Sequence, residues 1–111
     1  MKLITAMVQD EDTSRLISFL MTRGYRATKI SSTGGFLRRG NTTLMLGVED
    51  DEVEAVIDII KECCRKRKLL MNLDPSGPII SGGEVPFPLL TPVEVGGAVI
   101  FVSEIERFER V

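Results

Sequence analysis

The sequence predicts an α+β domain in which four strands and two helices follow the order β-α-β-β-α-β. Two kinds of pattern support this fold class. Four segments alternate in polarity or are rich in apolar and β-branched residues, as strands are, and they cover residues 2–9, 25–33, 41–49 and 93–103. Two others repeat apolar residues every three or four positions, as helices do, and they cover residues 11–23 and the stretch that begins at Asp50.

This order is the split βαβ, or ferredoxin-like, arrangement, in which two helices lie on one face of a four-stranded antiparallel sheet. The first strand is apolar on both of its faces, with Ile4, Ala6 and Val8 on one side and Leu3 and Met7 on the other. A strand of this kind is usually covered on both sides. Because the helices cover one face only, we expect another subunit to cover the second face.

Capping signals predict where the helices begin and end. Asp10 is a candidate N-cap, and Gly24 is placed to end the first helix in the left-handed conformation. The second helix carries one apolar stripe that extends to Cys63 and Cys64. The basic run at residues 65–68 is expected at its C-terminal end, where cations complement the helix dipole.

The connections are predicted from glycine and proline. Residues 36–40 are short enough to join the second and third strands as a hairpin. Residues 72–92 hold all five prolines, so we expect a long loop there. Gly96-Gly97 predicts a bulge within the last strand, and residues 104–109 predict a final helical turn.

Composition limits the class of protein. A chain of 111 residues fits a single domain over residues 1–111, and 43% hydrophobic residues argue against disorder. The net charge of −2 gives no general reason to expect binding to nucleic acid. No apolar stretch approaches the roughly 20 residues that span a bilayer, and the start turns acidic too early for a signal peptide. These features favour a cytoplasmic protein without a membrane partner.

The chain contains no histidine, which removes Ser-His triads, Cys-His pairs and histidine metal ligands. Phosphate-loop and dinucleotide-binding glycine motifs are also absent. The neighbouring cysteines Cys63 and Cys64 cannot form an ordinary disulfide with each other and are expected to be buried apolar residues. We therefore expect no metal site, no cofactor and no enzyme activity.

Residues 26–47 carry the pattern that indicates a ligand site. Arg26 and Thr28 lie two positions apart on a strand, so both side chains face the same side, about 6–7 Å apart. A guanidinium and a hydroxyl in this arrangement can hold phosphate oxygens. Asn41 offers the donor and acceptor that adenine needs, and Gly47 allows backbone to approach a ligand closely.

The turn at residues 33–36 adds two further elements. The amides of Gly34 and Gly35 can bind an anion or a base edge, and Phe36 can stack on a base. Each feature also has an ordinary structural explanation, because glycine pairs form hairpin turns and phenylalanines pack in cores. Spacing alone leaves these two explanations open.

Three segments together resemble the PII-like cyclic di-AMP receptor family: MKLITAMVQDEDTSRL, RATKISSTGGFLRRGNTTLMLGVED and PVEVGGAVIFV. The resemblance covers nearly the whole chain, and STGGFL followed by GNTT and GVED is its most specific part. It implies a ferredoxin-like homotrimer, similar in shape to PII signalling proteins, that binds cyclic di-AMP at the clefts between subunits. Such a receptor regulates a downstream protein, here unidentified, through loop rearrangement.

The resemblance also implies roles for seven residues. Arg26 and Thr28 would contact phosphate, and Asn41 would hydrogen-bond the base. Gly47 would offer a backbone contact. The base pocket would be lined by Gly35, Phe36 and Leu37.

Two features of the sequence depart from the family pattern. Gly24 stands where some relatives carry a polar, ligand-contacting residue, and the terminal sequence ERFERV does not match the ligand-facing tail of relatives.

Two other functions stay open. The first alternative is a PII-type, ATP-binding regulator modified on a loop tyrosine, but the only tyrosine, Tyr25, lies at the start of a strand. The second is a small enzyme or metal-tolerance protein, against which the lack of histidine counts.

Overall fold

The computed structural model describes residues 1–32, 40–71 and 91–111. In these ranges the chain forms six strands, two α-helices and one 3₁₀ helix. In chain order they are β1 (Lys2–Gln9), α1 (Asp10–Thr22), β2 (Thr28–Ser32), β3 (Asn41–Val48), the 3₁₀ helix (Asp50–Glu52), α2 (Val53–Cys63), β4 (Arg67–Met71), β5 (Thr91–Val95) and β6 (Ala98–Glu104).

Four strands form one antiparallel sheet in the order β2-β3-β1-β6. The central strand β1 pairs on both sides, so that Ile4 lies opposite Leu46 of β3 and Val102 of β6. The predicted hairpin between the second and third strands is confirmed by the antiparallel pairing of β2 with β3. The sheet and its two helices confirm the predicted α+β, ferredoxin-like architecture.

The hydrophobic core lies between one face of this sheet and both helices. Alternate residues of β1 and β3 point into it, as strand geometry requires, and they include Ile4 and Leu44. The helices contribute the apolar stripes predicted from sequence, with Leu16 on α1 and Ile60 on α2. Cys63 is buried with them, and this burial raises the pKa of its thiol. Among the described helices, none is long and apolar enough to cross a membrane.

The second compact unit runs from Lys66 to Val95, whereas the rest of the chain belongs to the first unit. Its described part is an antiparallel pair formed by β4 and β5. The basic run was predicted at the end of the second helix, and that prediction is wrong for Arg67 and Lys68. The apolar helical stripe ends at the cysteines, and the chain then becomes extended and pairs with β5. A single domain over residues 1–111 stays a prediction.

The predicted last strand is divided in two at Gly96 and Gly97. Both glycines have positive φ values, +89° and +91°, which L-residues with a side chain rarely adopt. This conformation interrupts the extended chain, so β5 pairs with β4 and β6 pairs with β1. The predicted bulge is therefore a crossing point between two sheets.

Three boundaries also differ from prediction. Gln9, not Asp10, is the N-cap of α1, because its extended backbone continues directly from β1 into the helix. The second strand begins at Thr28 rather than at residue 25, since the amide of Tyr25 is still bonded to the carbonyl of Leu20 at the helix end. Residues 105–109 form no helical turn.

Candidate functional site

A cleft of about 540 Å³ opens at one end of the main sheet. Its lining includes three of the residues predicted from sequence, namely Arg26, Thr28 and Gly47. The volume falls within the range of small-molecule sites in proteins. The fold therefore brings these three predicted residues together in one cavity.

The turn after α1 positions Arg26. Gly24 has a φ of +84°, and its amide bonds to the carbonyl of Met21 at 3.0 Å. The next amide, of Tyr25, bonds to the carbonyl of Leu20 at 2.9 Å. This left-handed C-terminal turn reverses the chain, so that Arg26 follows directly and reaches the cleft before β2 begins.

Strand pairing positions the other two residues. Thr28 lies opposite Met45 on β3, and Gly47 follows two residues later, on the same face of that strand. A Cβ on Gly47 would lie 3.4 Å from Cδ1 of Ile105. The absence of a side chain at Gly47 therefore leaves room beside the C-terminal segment.

The C-terminal segment supplies two cleft residues that the sequence did not predict. The amide of Ile105 bonds to the carbonyl of Met1 at 3.1 Å, which carries the chain alongside β1. Beyond this bond, Phe108 and Arg110 reach the cleft, and Phe108 is 60% exposed. No periodicity marks residues 105–111, and the terminal sequence ERFERV departs from the ligand-facing tail of relatives, so the sequence did not assign these residues to the site.

The charges in the cleft are mixed. Arg26 and Arg110 bring two guanidinium groups, and Glu49 and Glu52 bring two carboxylates. Within the parts of the chain that are described, neither arginine forms an ion pair with a carboxylate. The guanidinium groups are thus available to an anionic ligand.

Tyr25 connects the helix turn to the 3₁₀ helix at the cleft. Its hydroxyl donates a hydrogen bond to the carboxylate of Glu52. Partial desolvation and the negative charge of Glu52 both raise the pKa of Tyr25, because each disfavours the phenolate. This contact links the segment that carries Arg26 to the carboxylate side of the cleft.

Asn41 does not line this cleft. It lies at the first position of β3, is only 4% exposed, and pairs in register with Gln9 of β1 and Ser32 of β2. Gly47 lies six positions further along the same strand, which corresponds to about 20 Å. Predicted contacts from Gly35, Phe36 and Leu37 fall outside the described residues and stay predictions.

Comparisons with known proteins agree with this architecture. One solved structure, titled as that of a functionally unknown protein from Pediococcus pentosaceus, is 38% identical in sequence to this chain. The match covers 99% of this chain and 96% of that one, with a TM-score of 0.77. The family model described as cyclic-di-AMP receptor matches residues 1–111, the whole chain. The chain therefore belongs to the cyclic-di-AMP receptor family.

Proposed function

We propose that this protein is a receptor that binds cyclic di-AMP in the cleft formed by Arg26, Thr28 and Gly47. One observation carries the proposal: three residues assigned to the ligand by family resemblance line a single cavity of suitable volume. The family match over residues 1–111 supports the same ligand. A receptor role needs binding and release of the nucleotide, without a chemical step.

The cleft chemistry suits a cyclic dinucleotide. The ligand carries two phosphodiester groups, and Arg26 with Thr28 offers charge-assisted and hydroxyl hydrogen bonds to one of them. Arg110 adds a second cation, and the exposed ring of Phe108 offers a surface on which a base can stack. Because the ligand has two adenosine units, one unit can occupy the cleft while the other extends towards Asn41.

We further propose that the sites lie between the subunits of a homotrimer. The sheet face away from the helices exposes large apolar side chains, with Phe101 of β6 50% and Ile30 of β2 43% accessible. An apolar sheet face of this kind is usually an interface. Phe101→Asp should give a smaller assembly in sedimentation equilibrium, whereas Phe19→Asp, an exposed residue on α1, should leave the assembly unchanged.

Signalling requires that ligand binding favours one conformation over another. We propose that the connecting loops are the elements that respond and that a downstream protein recognises the result. The strength of this control would be set by the ratio of the affinities of cyclic di-AMP for the two loop states.

The test is isothermal titration calorimetry of the purified protein with cyclic di-AMP, with cyclic di-GMP and ATP as competing candidates. We expect selective binding of cyclic di-AMP near one ligand per chain. Arg26→Ala should weaken this binding about tenfold or more, because a hydrogen-bonded charge is lost. Arg23→Ala is the matched control, since Arg23 is an exposed arginine in the same turn but does not line the cleft.

The outcomes separate the candidates clearly. Equal loss of affinity in both arginine variants would place the phosphate contact elsewhere. Preferential binding of ATP would instead support a PII-type regulator. No binding of cyclic di-AMP at millimolar concentration would overturn the proposed function.

A further inference from the structure

Gln9 and Asp10, at the junction of β1 and α1, hold together two parts of the first unit that are far apart in sequence. On one side they contact the start of β3 around Asn41. On the other side they contact Gly96, where the chain returns from residues 66–95. These contacts are hydrogen bonds made by the backbone amide of Asp10 and by the side chains of Gln9 and Asp10.

Asp10 holds both neighbours of Asn41. Its backbone amide donates to the carbonyl of Gly40 at 3.0 Å, and its Oδ1 accepts from the hydroxyl of Thr42 at 2.6 Å. A Cβ on Gly40 would collide with the Asp10 carboxylate, so the two residues are in close contact. Asn41 lies between these attachments, and Thr42 is also buried. The position of Asn41 therefore depends on Asp10.

Gln9 makes the second connection. Its side chain is buried, with 5% exposure, and its Oε1 accepts a hydrogen bond of 2.7 Å from the amide of Gly96. Its own carbonyl accepts from the hydroxyl of Thr13, and its Cα pairs with Asn41 in the sheet. Buried hydrogen bonds of this kind are costly to break singly, so the linked groups tend to move together.

The glycine crossing is fastened on its other side as well. The amide of Gly97 donates to the carbonyl of Cys64, the residue that follows α2. The segment that leaves the first unit and the segment that returns to it are thereby joined. Gly96 and Gly97 both adopt positive φ, so this segment depends on a backbone conformation that residues with a side chain rarely adopt.

From these contacts we propose that Gln9 and Asp10 are positioning residues that couple Asn41 to the Gly96–Gly97 crossing. Binding of a nucleotide at Asn41 then stabilises the hydrogen-bonded conformation of the Gly96–Gly97 crossing. Loss of the hydrogen bonds at the crossing weakens nucleotide binding by the same factor, because coupling between two sites is reciprocal. As far as it concerns ligand, this inference rests on the proposed cyclic di-AMP function.

The test uses amide hydrogen exchange of Gly97, because its acceptor on Cys64 is untouched by the substitutions. Saturating cyclic di-AMP should slow Gly97 exchange about tenfold in the unmodified protein, within the usual range of coupling between sites. Gln9→Met removes the acceptor for Gly96 and should reduce this ligand effect below about twofold. The affinity of the Gln9→Met variant for cyclic di-AMP should fall by no more than about tenfold, the same factor by which the ligand slows Gly97 exchange.

A purely structural role for Gln9 predicts something else. Destabilisation alone would lower the Tm and leave the ligand effect on Gly97 intact. Ile59→Val, which removes one buried methyl group from α2, is the control for such a loss of stability. An unchanged ligand effect in Gln9→Met, or an equal loss in Ile59→Val, would overturn the coupling.

A second arm needs no ligand. Gly40→Ala should displace the Asp10 carboxylate and accelerate Gly97 exchange about fivefold. The same substitution in the Gln9→Met background should have no such effect. If cyclic di-AMP does not bind at all, the proposed function is wrong, but this ligand-free experiment still tests the coupling. Equal acceleration of Gly97 exchange by Gly40→Ala in both backgrounds would refute the coupling.

Discussion

The two ends of β3 carry different parts of the proposed site and differ in burial and in hydrogen bonding. At the Gly47 end, the cleft is open, and Arg26 and Arg110 form no ion pairs with the described carboxylates. At the Asn41 end, Gln9, Asn41 and Thr42 are buried, and the surrounding backbone and side chains are joined by hydrogen bonds. One end offers free groups, whereas the other holds its groups in place.

This difference separates affinity from stability. Replacing exposed groups at the Gly47 end should hardly change the unfolding free energy of the ligand-free protein, since surface substitutions usually change stability by less than about 0.5 kcal/mol. Buried groups at the Asn41 end leave unsatisfied partners when they are replaced, which costs more. Substitutions at the two ends should therefore move different measurements.

The largest effect on binding is expected from Gly47→Leu. The new side chain would occupy the cleft and weaken cyclic di-AMP binding about ten- to a hundredfold, as overpacking typically costs 1–3 kcal/mol. The unfolding free energy should change by less than about 0.5 kcal/mol, because Gly47 is exposed. Calorimetric titration and urea unfolding check the two values.

Gly47→Ala provides the graded control. Its Cβ would be in ordinary contact with Ile105, at 3.4 Å, so the substitution should be tolerated by the fold and affect binding less than Gly47→Leu. Full binding by Gly47→Leu would show that the ligand does not use this cleft.

Asn41→Ala tests the opposite end. We expect the unfolding free energy to fall by about 1–3 kcal/mol, because Asn41 is buried and the interaction that its side chain makes in the folded protein is lost when a smaller apolar residue replaces it. Urea unfolding measures this loss, with Arg26→Ala as the exposed counterpart that should change stability by less than about 0.5 kcal/mol. Equal stabilities of the two variants would remove the distinction between the ends of β3.

The same two ends show what the sequence could and could not predict. Alternating polarity and helical periodicity are local signals, and they correctly predicted β1, the hairpin of β2 and β3, and buried helix residues such as Leu16 and Ile60. They did not predict that Phe19, at the same helical spacing as Leu16, is exposed. The sequence proposed Arg26, Thr28 and Gly47 as site residues, but it gave the wrong reason for Arg26. Thr28 and Gly47 share a face through the pairing of β2 with β3, whereas Arg26 precedes β2 and reaches the cleft through the turn after α1.

Other features depend on contacts between residues distant in sequence. Nothing local to Phe108 or Arg110 shows that the tail passes beside β1 and reaches the cleft. Gly96-Gly97 was recognised as irregular, but a bulge and a crossing between sheets have the same glycine signal. Only the pairing partners of the flanking strands distinguish them.

Gly24→Ala should lower the unfolding free energy by less than Asn41→Ala does. Gly24 lies at the cleft end of the molecule, and the substitution destabilises the protein only through the backbone conformation that it requires. Among the described residues other than the two that adjoin Gly24, none has an atom within 4 Å of the added Cβ, so the cost comes from φ at +84°. A non-glycine residue in the left-handed region costs about 1–2 kcal/mol. Gly24→Asn should cost less, because asparagine adopts this conformation more readily.

Thermal unfolding of both Gly24 variants checks the order of stability. Titration with cyclic di-AMP adds a second readout, since the family resemblance implies that some relatives carry a polar, ligand-contacting residue at this position. Equal destabilisation by alanine and asparagine would contradict the backbone explanation.

The smallest expected effect concerns Tyr25 and Glu52 at the cleft end. The pKa of Tyr25 is raised in the folded protein, so its neutral form is favoured there. This contribution to stability is complete below the unfolded pKa of about 10 and is lost as pH rises through the folded pKa. Because the chain has one tyrosine and no tryptophan, the ultraviolet absorbance of tyrosinate reports this single group.

Glu52→Gln should shift the Tyr25 titration towards lower pH, since it removes the negative charge that disfavours the phenolate. Glu49→Gln is the matched control, because Glu49 also lines the cleft but is not among the groups that shift Tyr25. The shift for Glu52→Gln should be incomplete, as desolvation is the larger cause and is unaffected. Identical titrations of the two variants would mean that Tyr25 does not contact Glu52, and that the turn carrying Arg26 is not attached to the 3₁₀ helix.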